Sequence, residues 1–154
     1  MKNLVFIVED NLVQQKMLKT HFEEVLGNYS IRTFLNPVDL IENLKEKPFA
    51  VVLDHFFVPG EKTGLHYLRE LRKDHPSIPV IYLTVLDDNA VRSEVMALGA
   101  EGYIVKDSAS LVRLRTMLDQ IHKKISVNKT YWRDLFIDSF SNFFNIAKTQ
   151  KNIS

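Results

Sequence analysis

The chain has 154 residues, 45% of them hydrophobic and 25% charged, with a formal net charge of +1. That length supports one globular domain with a full core, and the near-neutral balance provides no global field to select nucleic acid or membrane. Cysteine is absent, which excludes disulfides and thiolate metal sites; the first apolar run is too short for a secretory leader or a membrane span, so a cytoplasmic protein is expected.

Strand-like runs alternate with helix-like ones along the chain. Leu4–Val8 lacks polar alternation and reads as a strand buried on both faces. From Asn11 to Leu26 the apolar residues Leu12, Leu18, Phe22 and Leu26 recur at helical spacing, and Gly27 is the stop. Ser30–Phe34 reads as the second strand, and Asn36-Pro37 caps and opens a helix through Leu44. Phe49–Asp54 is the third strand, followed by a loop containing Pro59, Gly60 and Gly64. A helix over Leu65 to Lys73 is closed by His75-Pro76, and Val80–Thr84 is the fourth strand. Asp88 to Leu98 is a helix ended by Gly99, Tyr103–Val105 is the fifth strand, and Ser108 or Ser110 caps a helix reaching about Ile125. Five β-then-α units with short connections predict an α/β fold: a five-stranded parallel sheet, doubly wound, with helices on both faces. Of the two common doubly wound orders, the flavodoxin-like 2-1-3-4-5 fits five strands.

Four of these strands end in groups suited to phosphoryl chemistry. Val5–Val8 runs into Glu9-Asp10, Ala50–Leu53 into Asp54, Val80–Leu83 into Thr84, and Tyr103–Val105 into Lys106. In a parallel sheet these side chains converge on the carboxyl rim, where open α/β sheets bind ligands. A carboxylate can accept a phosphoryl group when a metal and a cation offset the charge, and two or three carboxylates with a carbonyl suit Mg²⁺. Each part alone has a plainer reading. Glu9-Asp10 reads as a charge cluster at a helix start, Asp54 as a turn acid, Thr84 as an ordinary strand residue, and Lys106 as a snorkelling surface lysine. Asp54, though, closes a wholly apolar strand and needs a partner to tolerate that position, and the joint pattern is more specific than any part. The five histidines show no metal-ligand spacing, and His55 is expected in a surface or loop role.

From about Lys2 to Ile125 the chain resembles a bacterial two-component response-regulator receiver domain of the chemotaxis-regulator type. The resemblance rests on Val8-Glu9-Asp10-Asn11, Val52-Leu53-Asp54, Pro79 to Thr84, and Ala97 to Lys106. It implies that Asp54 accepts a phosphoryl group from the phosphohistidine of a sensor histidine kinase or a phosphotransfer protein. It also implies that Mg²⁺ is held by Glu9, Asp10, Asp54 and the backbone carbonyl of Phe56. Lys106 would pair with the phosphoryl oxygens, Thr84 would swing toward them, and Tyr103 would move inward as the second switch residue. The family usually has Pro four residues after the acceptor and Gly eight after it, whereas Pro59 is five after Asp54 and Gly64 ten after. The loop is therefore longer, and Val85 is bulkier than the Ala or Gly usual after the switch Thr. Phe56 and Leu86, both apolar, are expected to shield the acyl phosphate from water. A receiver is a phosphoacceptor with at most self-phosphatase activity, not an enzyme acting on a free substrate. A hydrolase using an aspartyl phosphate would place a second acid two residues after its nucleophile, and that residue is Phe56. The other reading is a degenerate receiver that binds partners without phosphorylation.

Residues 1–125 are thus expected to be the receiver and 126–154 an aromatic amphipathic helical extension, with Trp132, Phe136, Phe140, Phe143, Phe144 and Ala147 on one stripe. Three readings stand for it: a helix folded back on its own domain, a dimerisation or partner-binding helix, and a membrane-surface helix, the last disfavoured by the few basic residues on its polar face. From Ser126 on there are four basic residues against two acidic ones. The segment is too short for a helix-turn-helix output domain and lacks a basic recognition surface, so no direct DNA binding is expected. A partner or second copy would meet the face of helix 4, strand 5 and helix 5, or the C-terminal helix.

Overall fold

The computed structural model describes residues 2–57 and 62–151, with side chains as far as Asp138. Five strands, β1 (Asn3–Val8), β2 (Tyr29–Phe34), β3 (Ala50–Leu53), β4 (Val80–Thr84) and β5 (Gly102–Val105), form one parallel sheet in the order β2-β1-β3-β4-β5. That is the expected topology. The central strands are continuous apolar runs because both faces are covered: β3 and β4 are buried at every residue. Phe6, Ile7, Leu53, Leu68, Tyr82 and Leu114 are almost wholly inaccessible. Each side chain of that size contributes about 1.5–3 kcal/mol by leaving water.

The helices are α1 (Leu12–Thr20), α2 (Pro37–Glu42), α3 (Gly64–Asp74), α4 (Asn89–Ala97) and α5 (Ser110–Lys151). Local chemistry sets their ends. The Asn11 side chain accepts from the Val13 and Gln14 amides, Asn36 accepts from Asp39 ahead of Pro37, and Asp88 accepts from Val91. Three details differ from the sequence expectation. α1 does not run evenly to Leu26 but passes into a π-helical turn over His21–Val25, from which Glu23 accepts the Ile31 amide of the edge strand at 2.7 Å. Gly64 is the first residue of α3 rather than part of the loop. α5 does not stop near Ile125; it continues unbroken to Lys151, consistent with the lack of any Gly or Pro after Gly102.

Contacts divide the chain into two units, residues 1–118 and 119–154. In the second unit Tyr131, Trp132, Phe136 and Ile137 are exposed; the side chains of Phe140, Phe143, Phe144 and Ala147, like the loop residues Pro59 and Gly60, lie outside the described residues. Among the described residues no helix is long and apolar enough to cross a membrane.

Candidate functional site

Strand register builds the site. Val8 pairs with Leu53, so Glu9 and Asp54 each stand one residue beyond a paired position on neighbouring strands. Thr84 pairs with Val105, and the Lys106 amide continues that ladder to the Thr84 carbonyl at 2.8 Å. Three of the five expected rim residues, Glu9, Asp54 and Lys106, are thereby brought into direct contact. Lys106 Nζ donates to Glu9 Oε2 at 2.6 Å and to Asp54 Oδ2 at 2.5 Å. Both acids are nearly inaccessible, Glu9 3% and Asp54 6% exposed, and Thr84 is fully buried.

Burying two carboxylates around one ammonium has electrostatic consequences. Burial pushes the Glu9 carboxyl above its ordinary range, against the opposing pull of Lys106. Burial alone would depress Lys106, but its hydrogen bonds to Asp54 and Glu9 outweigh that and raise it, so the ammonium stays charged at neutral pH. Glu9 is further fixed by the Asn11 amide, which donates to its Oε1 at 3.1 Å. Gln15 Nε2 donates to the Glu9 carbonyl at 2.6 Å and to the Phe34 carbonyl at 3.1 Å, tying the ends of β1 and β2 beneath the rim. Sequence reading passed over Gln15, because a glutamine on a helix looks the same whether its amide meets water or two strand carbonyls.

The switch positions are also connected. Thr84 Oγ1 accepts the Leu86 amide at 3.2 Å, and the Tyr103 hydroxyl donates to the Leu86 carbonyl at 2.6 Å. Tyr103 is already buried, with the Arg92 guanidinium 4.6 Å over its ring. Beside the acceptor the structure differs from expectation. His55 follows the strand, but its ring is buried and its Nδ1 lies 2.7 Å from the Tyr82 hydroxyl. Burial lowers the His55 pKa, which keeps the ring neutral, and burial raises that of Tyr82, which keeps the phenol protonated. With both groups neutral, one proton is shared between Nδ1 and the hydroxyl, and the imidazole tautomer sets which of the two donates. Phe56 is 49% exposed and packs edge-on against the His55 ring at 4.7 Å. Val85 is exposed and lines a cleft of about 400 Å³ with Gln14, Met17, Leu83, Lys106 and Leu111.

An all-oxygen set of Glu9, Asp10 and Asp54 has the donor chemistry for Mg²⁺, and Glu9 and Asp54 already share one cation, the Lys106 ammonium. Asp10 is half-buried at the same strand end. Among the described residues no three acidic or imidazole side chains converge on a common point.

The fold and the acidic rim with its bridging lysine define a doubly wound α/β domain with a charged carboxyl edge. Residues 5–119 match the family described as response regulator receiver domain, and the chain belongs to that family. Among curated proteins it is 30% identical over 115 residues to transcriptional regulatory protein YdfI of Bacillus subtilis, covering 75% of this chain and 53% of the relative. It is 29% identical over 145 residues to CrdR of Helicobacter pylori, covering 94% and 62%. The cyclic di-GMP phosphodiesterase response regulator RpfG of Xanthomonas campestris is 26% identical over 104 residues, 66% of this chain and 27% of the relative. The chain spans less than two thirds of the length of each. Among solved structures, the response regulator TrrA of Thermotoga maritima, determined with Mg²⁺ and beryllofluoride, shares the fold with a TM-score of 0.66 at 24% identity, covering 79% of this chain and 99% of that one.

Proposed function

We propose that the protein is a phosphoacceptor of a two-component phosphorelay, with Asp54 as the acceptor. The observation that carries the reading is the Lys106 ammonium bridging Glu9 and Asp54 at the carboxyl rim. An Asp54 carboxylate oxygen attacks the phosphorus of a donor phosphohistidine; the P–N bond breaks and its electron pair stays on the donor imidazole. Lys106 then meets phosphoryl oxygens in place of a carboxylate oxygen, and the Thr84 hydroxyl turns from the Leu86 amide to a phosphoryl oxygen. Leu86 also carries the acceptor of the Tyr103 hydroxyl, so that turn disturbs Tyr103. Glu9, Asp10, Asp54 and the Phe56 carbonyl are the groups that would hold Mg²⁺, which supplies charge neutralisation between acceptor and donor.

The active form pre-exists, and the phosphoryl group shifts its population. The face of α4, β5 and α5, or the C-terminal helix, is the surface offered to an effector or a second copy. A histidine kinase or phosphotransfer protein in the cytoplasm is the donor; no DNA contact, membrane contact or turnover of a free substrate is assigned to these residues. A second reading, a receiver acting without phosphorylation, is favoured by the longer loop after Asp54 and by the bulk of Val85 after Thr84.

Incubation with Mg²⁺ and acetyl phosphate decides between them. The wild type is expected to gain the mass of one phosphoryl group, with no gain in Asp54→Ala or in EDTA; an unmodified wild type that also takes no label from histidine kinases favours the second reading. The apolar Phe56 and Leu86 are expected to slow hydrolysis by keeping attacking water from the acyl phosphate. Phe56→Asn with Leu86→Lys should therefore shorten the lifetime of the label, measured by its decay after donor removal, and an unchanged lifetime removes that role.

A further inference from the structure

Tyr82 stands fully buried in a run that is otherwise aliphatic until Thr84, and phosphoryl chemistry at the rim does not require a phenol there. Its hydroxyl meets His55 Nδ1 at 2.7 Å, and its ring stacks on Tyr103 with centroids 5.5 Å apart and planes 16° from parallel. His55 is held on both sides of its own backbone: its amide donates to Asp54 Oδ1 at 2.5 Å, and its carbonyl accepts the Gly64 amide of α3 at 2.8 Å. A Cβ built on Gly64 would meet the Tyr82 hydroxyl at 2.7 Å, so α3 begins directly against that oxygen. On the far side, Tyr103 bonds the Leu86 carbonyl, and the Leu86 amide bonds Thr84 Oγ1. These contacts form a chain from Asp54 through His55, Tyr82, Tyr103 and Leu86 to Thr84.

We propose that Tyr82 is a positioning residue whose hydroxyl bond to His55 couples the loop after Asp54 to the Tyr103 switch face, an inference that rests on the phosphoacceptor reading of Asp54. A buried hydrogen bond is directional where an aliphatic contact is not, and close-packed rings pass a displacement on rather than absorb it. Rearrangement around a phosphorylated Asp54 thus reaches Tyr103 by two routes, over Thr84 and Leu86 at the rim and through His55 and Tyr82 in the core. With one route cut, the label stays and the response weakens.

Tyr82→Phe keeps the ring stacking and removes only the hydroxyl. The full chain is treated with Mg²⁺ and acetyl phosphate, the extent of labelling is read by intact mass, and the amide resonances of residues 86–92 and of Tyr103 are followed on the same samples. The wild type gains the label and its resonances move. Tyr82→Phe gains the same label, but its resonances move a smaller fraction of the way, a fall of roughly twofold to thirtyfold in the active-to-inactive ratio, the span for residues along a coupling network. His55→Asn retains the response, because its side-chain amide offers a donor or an acceptor one bond from Cγ, as Nδ1 does, and His55→Phe loses it. A folded Tyr82→Phe that takes no label, beside a wild type that does, overturns the coupling role, since the hydroxyl then acts on the acceptor and not between it and Tyr103. If Tyr82→Phe does not fold, Tyr82→Phe combined with His55→Phe removes both polar partners together and is measured in its place. Full labelling with a full response in Tyr82→Phe, or in that double variant, overturns the inference and leaves the phosphoacceptor reading intact. A wild type that takes no label overturns both.

Discussion

Replacing Lys106 with Met is expected to destabilise the protein by about 3 kcal/mol at neutral pH, because it leaves two buried carboxylates facing each other without their shared cation. For a domain of this size that corresponds to a fall of roughly 6–12 °C in melting temperature. The pH dependence distinguishes this cause from lost packing. In the variant the Glu9 carboxyl, already raised by burial, loses the opposing pull of Lys106 and rises further. The folded state then holds protons that the unfolded state releases, so stability is greatest in acid and is lost as pH rises from about the ordinary glutamate value of 4.5 through the folded value. The wild type carries a signature of the same sign at the alkaline end, which the variant lacks. Its Lys106 is raised above 10.5, so that contribution is present below 10.5 and disappears as pH climbs through the folded value. Thermal melts of both proteins across pH read this directly; a Lys106→Met variant as stable as the wild type, with the same profile, would mean that the acids do not share the cation.

Gly64→Ala is expected to cost about 3 kcal/mol, the upper end of the range for overpacking a tight site. The new Cβ would fall 1.9 Å from the Asp54 carbonyl oxygen and 2.7 Å from the Tyr82 hydroxyl. Neither can retreat: one is backbone at the end of a buried strand, the other is held by His55. α3 must therefore move away from Asp54, and a displacement on the order of 1 Å at an acceptor lowers its rate about 100-fold. Gly102→Ala is the control. There the added carbon meets only the flexible end of Met117, so melting temperature and labelling rate should change little. Equal effects at the two positions would show that close approach to Asp54 is not what requires glycine at 64.

Strand order and the rim residues were legible in the sequence because both follow from one-dimensional pattern. A fully buried parallel strand must be an unbroken apolar run, so β1, β3 and β4 announce themselves, and the first polar residue after each run marks the carboxyl edge. What escaped was whatever depends on the direction of a side chain. Tyr82 in Val-Ile-Tyr-Leu reads as strand hydrophobicity, and nothing in that string says its hydroxyl turns to His55. The π-helical turn at His21–Val25 and the placing of Gly64 inside α3 depend on local backbone adjustments that apolar spacing does not record. The aromatic stripe from Trp132 was visible, but whether it continued α5 or formed a separate element was not, since the same periodicity serves either.

If Asp54 carries the phosphoryl group, reduction of the acyl phosphate locates it chemically. Protein treated with acetyl phosphate and Mg²⁺ is reduced with borohydride, which converts an aspartyl phosphate to homoserine, then digested and sequenced by mass spectrometry. Homoserine is expected at position 54, with Glu9 and Asp10 unaltered. Homoserine at any other aspartate, or an intact Asp54 in protein that has gained the mass of a phosphoryl group, would contradict Asp54 as the acceptor.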